Sequence, residues 1–179
     1  MIFEGTQMKK IFILILIITS NLFAQEGRLI PNPIRNIPRW VRTEFSVRHL
    51  DDNYTVSYQL YPYYLRADFN GDSRRDVAIQ IVEKKSGKTG FAIFHTKKPQ
   101  ALTIPISIIG AGTSLTRIGD DFKWVNFWNV TSRKQMFDKK SLPVFDEDVI
   151  SIGKRDSTNG YIYWDGKKYS WQRNKEQLN

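Results

Sequence analysis

A chain of 179 residues, 41% hydrophobic and 25% charged, has room for one globular domain with its own core. It contains no cysteine, which excludes disulfides, zinc–thiolate sites and cysteine nucleophiles. Lysine and arginine outnumber the acids 27 to 18, for a net charge of +9, but they are scattered and interrupted by Asp51-Asp52, Asp120-Asp121 and Asp146-Glu147-Asp148. That pattern describes a mixed solvated surface rather than a nucleic-acid footprint.

In chain order, Met8-Lys9-Lys10 and the apolar run that begins at Ile11 form a charged region followed by a hydrophobic one. The apolar run is shorter than the ~20 residues a membrane span needs, so it reads as a signal peptide over 1–24 with its start at Met8. Cleavage is expected after Ala24, although Leu22 is bulky for the place it occupies. The remaining 25–179 is expected to be a single β-rich domain, exported to the periplasm or the outside, with no membrane span after cleavage and a frayed C-terminal tail. No cysteine follows the apolar run, so a bacterial lipid anchor is excluded.

Three prolines make 26–38 an irregular lead-in. Ile37, Trp40, Val41 and Phe45 recur near helical spacing and predict a short helix over 38–48, with Asn36 as its cap and Pro38 in its first turn. Clean alternation then predicts a half-buried strand over 54–60, with Tyr54, Val56, Tyr58 and Leu60 on one face.

The most specific stretch follows: Asp68-Phe69-Asn70-Gly71-Asp72-Ser73-Arg74-Arg75-Asp76, leading into an apolar run. Oxygen side chains stand at places one, three, five and nine. A hard cation such as Ca²⁺ takes six or more oxygens at ~2.4 Å, and a winding loop of this spacing turns alternate groups inward. The expected ligands are Asp68, Asn70, Asp72 and Asp76 through side chains, and Arg74 through its carbonyl. Asp, Asn and Gly also favour a hairpin turn with no metal, and that reading stays open.

The loop resembles the calcium loop of FG-GAP and VCBS-type repeats, in which Asp-x-Asp/Asn-x-Asp-Gly-x-x-Asp leads into a strand. The glutamate at place twelve of an EF-hand is Ile79 here, so the β-hairpin version fits. One departure is Ser73, where the family has glycine for a turn that favours positive φ. Another is the positive charge of Arg74 and Arg75 beside the cation. The order of Tyr64 to Asp72, Gly110-Ala111-Gly112 and Ile162 to Tyr169 also resembles a group of secreted bacterial proteins of uncharacterised function. That second likeness implies export and a single domain, and no activity.

Strands are predicted over 77–83 and 90–96, and over 101–109 as an edge or bulged strand because of Pro105. A glycine-rich loop follows over 110–121, then strands over 122–130 and 149–153 with a polar segment, helix or loop, over 132–148 between them. Asp165-Gly166 predicts a type I′ hairpin over 160–171 that pairs Trp164 with Lys167 and Ile162 with Tyr169. Ile162, Trp164, Tyr169 and Trp171 then share the core face. The fold class is mainly β (α+β): an antiparallel meander sheet or sandwich with a short N-terminal helix and a C-terminal hairpin.

No catalytic constellation is recognisable. His49 and His95 have no motif partner and read as surface or edge residues. Gly87-Lys88-Thr89 lacks the first glycine of a phosphate loop and reads as a turn. Gly110-Ala111-Gly112-Thr113-Ser114 offers backbone amides to an anion, or is a plain connection. Trp124 and Trp128 are candidate ligand-binding rings for sugars, against the commoner role of strand aromatics as core. The expected protein is a calcium-binding binding or scaffold module of the bacterial envelope, not an enzyme and a monomer, whose partner is an envelope protein or polysaccharide. The alternatives are an envelope polysaccharide hydrolase and a secreted inhibitor of a foreign enzyme.

Overall fold

The computed structural model describes residues 33–97, 100–113, 119–132, 147–154 and 159–173, all within the compact unit Pro33–Asn179. The expected signal peptide, the lead-in up to residue 32, most of 132–148 and the tail beyond 173 lie outside the described residues. Among the described residues no helix is long and apolar enough to cross a membrane.

A 3-10 turn (Pro33–Asn36) precedes helix α1 (Arg39–Val47) and a single turn, α2 (Leu50–Asn53). Pro38 rather than Asn36 is the α1 N-cap, with no side-chain bond to the helix. Among the described residues nine strands follow: β1 (Tyr54–Val56), β2 (Tyr64–Ala67), β3 (Asp76–Glu83), β4 (Thr89–Phe94), β5 (Ile106–Gly110), β6 (Phe127–Thr131), β7 (Val149–Gly153), β8 (Asn159–Trp164) and β9 (Tyr169–Arg173). They form two antiparallel sheets, so the protein is mainly β. In the first, β3-β4-β5 is a meander, and β1 and β2 share the free edge of β3. The second is the meander β6-β7-β8-β9.

The first sheet is covered on both faces, and strand parity assigns each side chain to a layer. Val77, Ile79, Ile81, Ala92 and Phe94 face one way and meet Ile37, Val41 and Phe45 of the helical segment. Val41 and Phe45 stand four residues apart on one face of α1, and Ile37, two residues before the helix, packs with them against the sheet. Ala78, Phe91 and Ile93 face the other way and meet Trp128, Ile150, Ile152 and Ile162 of the second sheet. Helix, sheet and sheet therefore stack as three layers. This explains why 77–82 is nearly continuously apolar instead of alternating: both faces are buried.

The strand expected over 54–60 ends at Val56. Ser57 N–H still donates to the Gln80 carbonyl at 2.8 Å, and its Oγ to Gln80 Oε1 at 2.6 Å. Beyond it the chain swings across: Tyr54, Val56 and Tyr58 pack beneath the helix, whereas Leu60 enters the core between the sheets. The C-terminal hairpin also departs from expectation. Its pairs are Trp164↔Tyr169 and Ile162↔Trp171, so the connection is the four residues 165–168. Gly166 takes φ 91°, but Asp165 is not left-handed as a type I′ turn requires. Asp165 instead accepts the N–H groups of Lys167 and Lys168 on Oδ1, both at 2.9 Å, and these bonds hold its pKa below the usual carboxylate value. The register slipped by two, which keeps every side chain on its face. Ile162 and Tyr169 accordingly lie in the core between the sheets, with Trp164 and Trp171 packed against it.

Candidate functional site

The loop between β2 and β3 is closed by the pair Ala67↔Asp76 and anchored by Phe69, which is buried between the sheets. Its oxygens turn inward onto its own amides. Asp68 Oδ1 accepts the Asp72 N–H at 3.0 Å, and Oδ2 the Ser73 N–H at 2.8 Å. Asn70 Oδ1 also accepts from Asp72 N–H, at 3.2 Å, and Asp72 Oδ1 accepts from Arg74 N–H at 3.1 Å. Gly71 and Ser73 carry positive φ, 73° and 65°. The left-handed place six expected of this loop is thus present, with serine in it.

A left-handed conformation costs a non-glycine residue about 1–2 kcal/mol, while glycine loses roughly 0.5–1 kcal/mol more chain entropy on folding. Ser73→Gly is therefore expected to stabilise the fold by about 0.5–1 kcal/mol. A urea midpoint that moves up at unchanged slope would show it, and a lower midpoint would refute the strain argument.

Asp76 is fully buried and has partners of its own. Its Oδ1 accepts the Thr96 N–H at 3.0 Å, and its Oδ2 lies 3.1 Å from His95 Nδ1 without a well-directed hydrogen bond. Asn70 Nδ2 lies 3.0 Å from the same ring nitrogen. One nitrogen cannot serve both neighbours: protonated it donates to Asp76, unprotonated it accepts from Asn70. His95 is 4% exposed and stacks on Tyr169, with ring centroids 5.7 Å apart. The surface or edge reading of His95 is therefore corrected. Its pairing was open to sequence reasoning, because Val77↔Phe94 places 76 opposite 95 one step further along the hairpin. His49 is exposed, 3.8 Å from Asp52.

A second chain segment reaches the loop. Asp148 N–H donates to the Asp68 carbonyl at 3.1 Å, and Glu147 packs on Gly71, its Oε1 3.1 Å from where a Cβ would stand. Burial drives the Tyr169 pKa far up, and the charges of Asp76, Asp68, Glu147 and Asp72 add to it. The Tyr169 hydroxyl has no hydrogen-bond partner among the described residues. Glu147 was visible in the sequence only as part of an acidic run. Beside the loop, Asn70, Asp72, His95, Thr96, Pro105 and Trp164 line a cleft of about 260 Å³.

The donors are hard oxygens of the kind Ca²⁺ takes, and an ionised carboxylate keeps lone pairs beyond those used on the amides. The grouping is looser than the chemistry: among the described residues no three acid or histidine side chains are gathered as round a metal ion. Arg74 is partly buried, and its Nη1 has no hydrogen-bond partner among the described residues.

The other candidates fall elsewhere. Trp128 is 1% exposed, stacks on Phe91 and donates its Nε1–H to the Pro62 carbonyl at 2.8 Å. A ring so enclosed offers no face to a sugar, and Trp128 is core. Trp124 is partly buried against Phe122 and Trp171. The amides of 111–113 are already used: Ala111 N–H donates to the Thr89 carbonyl, Gly112 to Asp120 and Thr113 to Gly110, each at 3.0 Å. The amides of 111–113 are therefore not free for an anion, and Ser114 lies outside the described residues.

In comparisons with known proteins, no family model matches the chain, and neither a curated protein nor a solved structure matches it.

Proposed function

We propose that the chain is an exported binding module of the bacterial envelope, with the 68–76 loop as a structural calcium site and no catalysis. The observation that carries the calcium reading is the loop itself: the oxygens at places one, three and five turn onto loop amides around a left-handed place six. Asp68, Asn70, Asp72, Asp76 and the Arg74 carbonyl would hold the ion, and its charge would offset the repulsion among the acids. The partner is an envelope protein or polysaccharide. A binding module needs an exposed aromatic surface, and Tyr61 supplies one at 83% exposure. Its ring meets Tyr63 edge-on, and Tyr63 meets Tyr58 in the same way, each at 5.8 Å between centroids. These tyrosines suit the role better than Trp124 and Trp128.

The test is thermal unfolding in excess EGTA and in 1 mM Ca²⁺. An affinity of ~10⁻⁴ to 10⁻³ M, typical of extracellular modules, gives about 0.4–1.4 kcal/mol of stabilisation at that concentration. The midpoint should then rise by about 1–5 °C, and Asp72→Ala should abolish the rise. Coincident curves would end the calcium reading.

A second reading, hydrolysis of an envelope polymer, draws on His95 lying against Asp76 at the cleft. It requires wild-type protein to release reducing ends from such a polymer and His95→Gln to release none. No release by either protein leaves the binding module alone.

A further inference from the structure

A second concavity, of about 300 Å³, lies between α1 and the edge strand β1. Its lining is largely apolar: Ile37, Val41, Phe45, Tyr54, Val56 and Ile79. Arg42 and Tyr58 also line it. Burial raises the Tyr58 pKa and the charge of Arg42 lowers it, and both residues line the one concavity. Arg42 Nε is buried without a hydrogen-bond partner, and Arg42 has no ion pair among the described residues. The remaining polar lining is occupied with itself. Lys84 Nζ donates to the Asp51 carbonyl at 2.5 Å, and Ser46 Oγ to Asp51 Oδ2 at 3.2 Å. An apolar trough with one unmet charged donor calls for an apolar ligand that carries an anion.

We infer that this concavity binds a single-chain amphiphile with a carboxylate head, a medium-chain fatty acid, with its alkyl chain in the trough and its head on Arg42 and Tyr58. The planar guanidinium offers a carboxylate two parallel N–H groups, and the Tyr58 hydroxyl donates a third bond. A trough at the small end of ligand sites admits one short chain rather than a two-chain lipid. The inference stands apart from the calcium reading and uses none of its residues.

The experiment is calorimetric titration of the chain with decanoate below its micelle concentration, with decyl phosphate and 1-decanol as comparison ligands. Decanoate should bind at one site, more tightly than decanol. Arg42→Gln should weaken decanoate by about tenfold or more and leave decanol unchanged, and Arg42→Lys should fall between. Val56→Trp, which fills the trough, should remove both, with the fold checked by circular dichroism. Decyl phosphate binding more tightly than decanoate would overturn the carboxylate assignment. Absence of decanoate binding, equal binding by Arg42→Gln, or retained binding in folded Val56→Trp would overturn the site.

Discussion

Phe91→Ala is expected to cost about 3–5 kcal/mol, the range for truncating a large buried aromatic ring. Phe91 is fully buried at the middle of β4 and stands where the two sheets meet. Its ring stacks on Trp128 with centroids 5.5 Å apart and meets Phe122 edge-on at 5.4 Å. Truncation would remove the contact shared by a strand of the second sheet and the segment that leads into it. Domains are stable by only about 5–15 kcal/mol, so this one change would remove a large share of the total. Equilibrium urea unfolding reads it as a lower midpoint at unchanged slope. Phe127, one residue from Trp128 but 44% exposed, serves as the control: Phe127→Ala should cost less than about 1 kcal/mol. Equal losses from the two substitutions would mean that the sheets are not joined through this layer.

The same layering explains how much of the fold was legible. Where one signal dominated, the sequence was sufficient. The run over 149–153 is bounded by polar residues, and it coincides with β7. Val41 and Phe45 mark the helix face that meets the sheet, and Ile37 joins them from just before the helix. The failures are non-local. Strand β2 is too short to alternate, and it exists because half of the β3 edge is left free by β1. The strand expected to start at 122 starts at Phe127. Phe122 is instead drawn into the core, its N–H bonded to the Thr89 carbonyl at 2.9 Å. At the loop, the left-handed place six was implied by the resemblance to known calcium loops, and Ser73 occupies it at φ 65°. Glu147 and Tyr169 were not implied, because contacts across 70 to 100 residues of chain leave no local pattern.

Gly110→Ala follows from where Phe122 goes, and it separates two costs that are usually mixed. Gly110 ends β5 with φ 76°, a conformation that costs an L side chain about 1–2 kcal/mol. A Cβ there would also stand 2.7 Å from Phe122 Cε2 and 3.0 Å from the Thr89 carbonyl oxygen, with Phe122 Cδ2 closer still. Neither neighbour can give way easily. Phe122 is fully buried, and the Thr89 carbonyl already accepts the N–H groups of Ala111 and Phe122. Overpacking of this kind costs about 1–3 kcal/mol. Less the roughly 0.5–1 kcal/mol of chain entropy that alanine saves, the expected loss is about 1.5–4 kcal/mol. Gly87 isolates the conformational part: its φ is 69°, and nothing lies within 4 Å of its Cβ position. Gly87→Ala should cost only about 0.5–1 kcal/mol, the left-handed cost less the chain entropy that alanine saves, and the difference between the two variants is the packing cost at Phe122. Phe122→Leu in the Gly110→Ala background should recover part of that difference, because it frees the space the new methyl needs. If Gly110→Ala costs no more than Gly87→Ala, Phe122 does not pack against the end of β5, and the docking that ties the 119–126 segment to the first sheet is wrong.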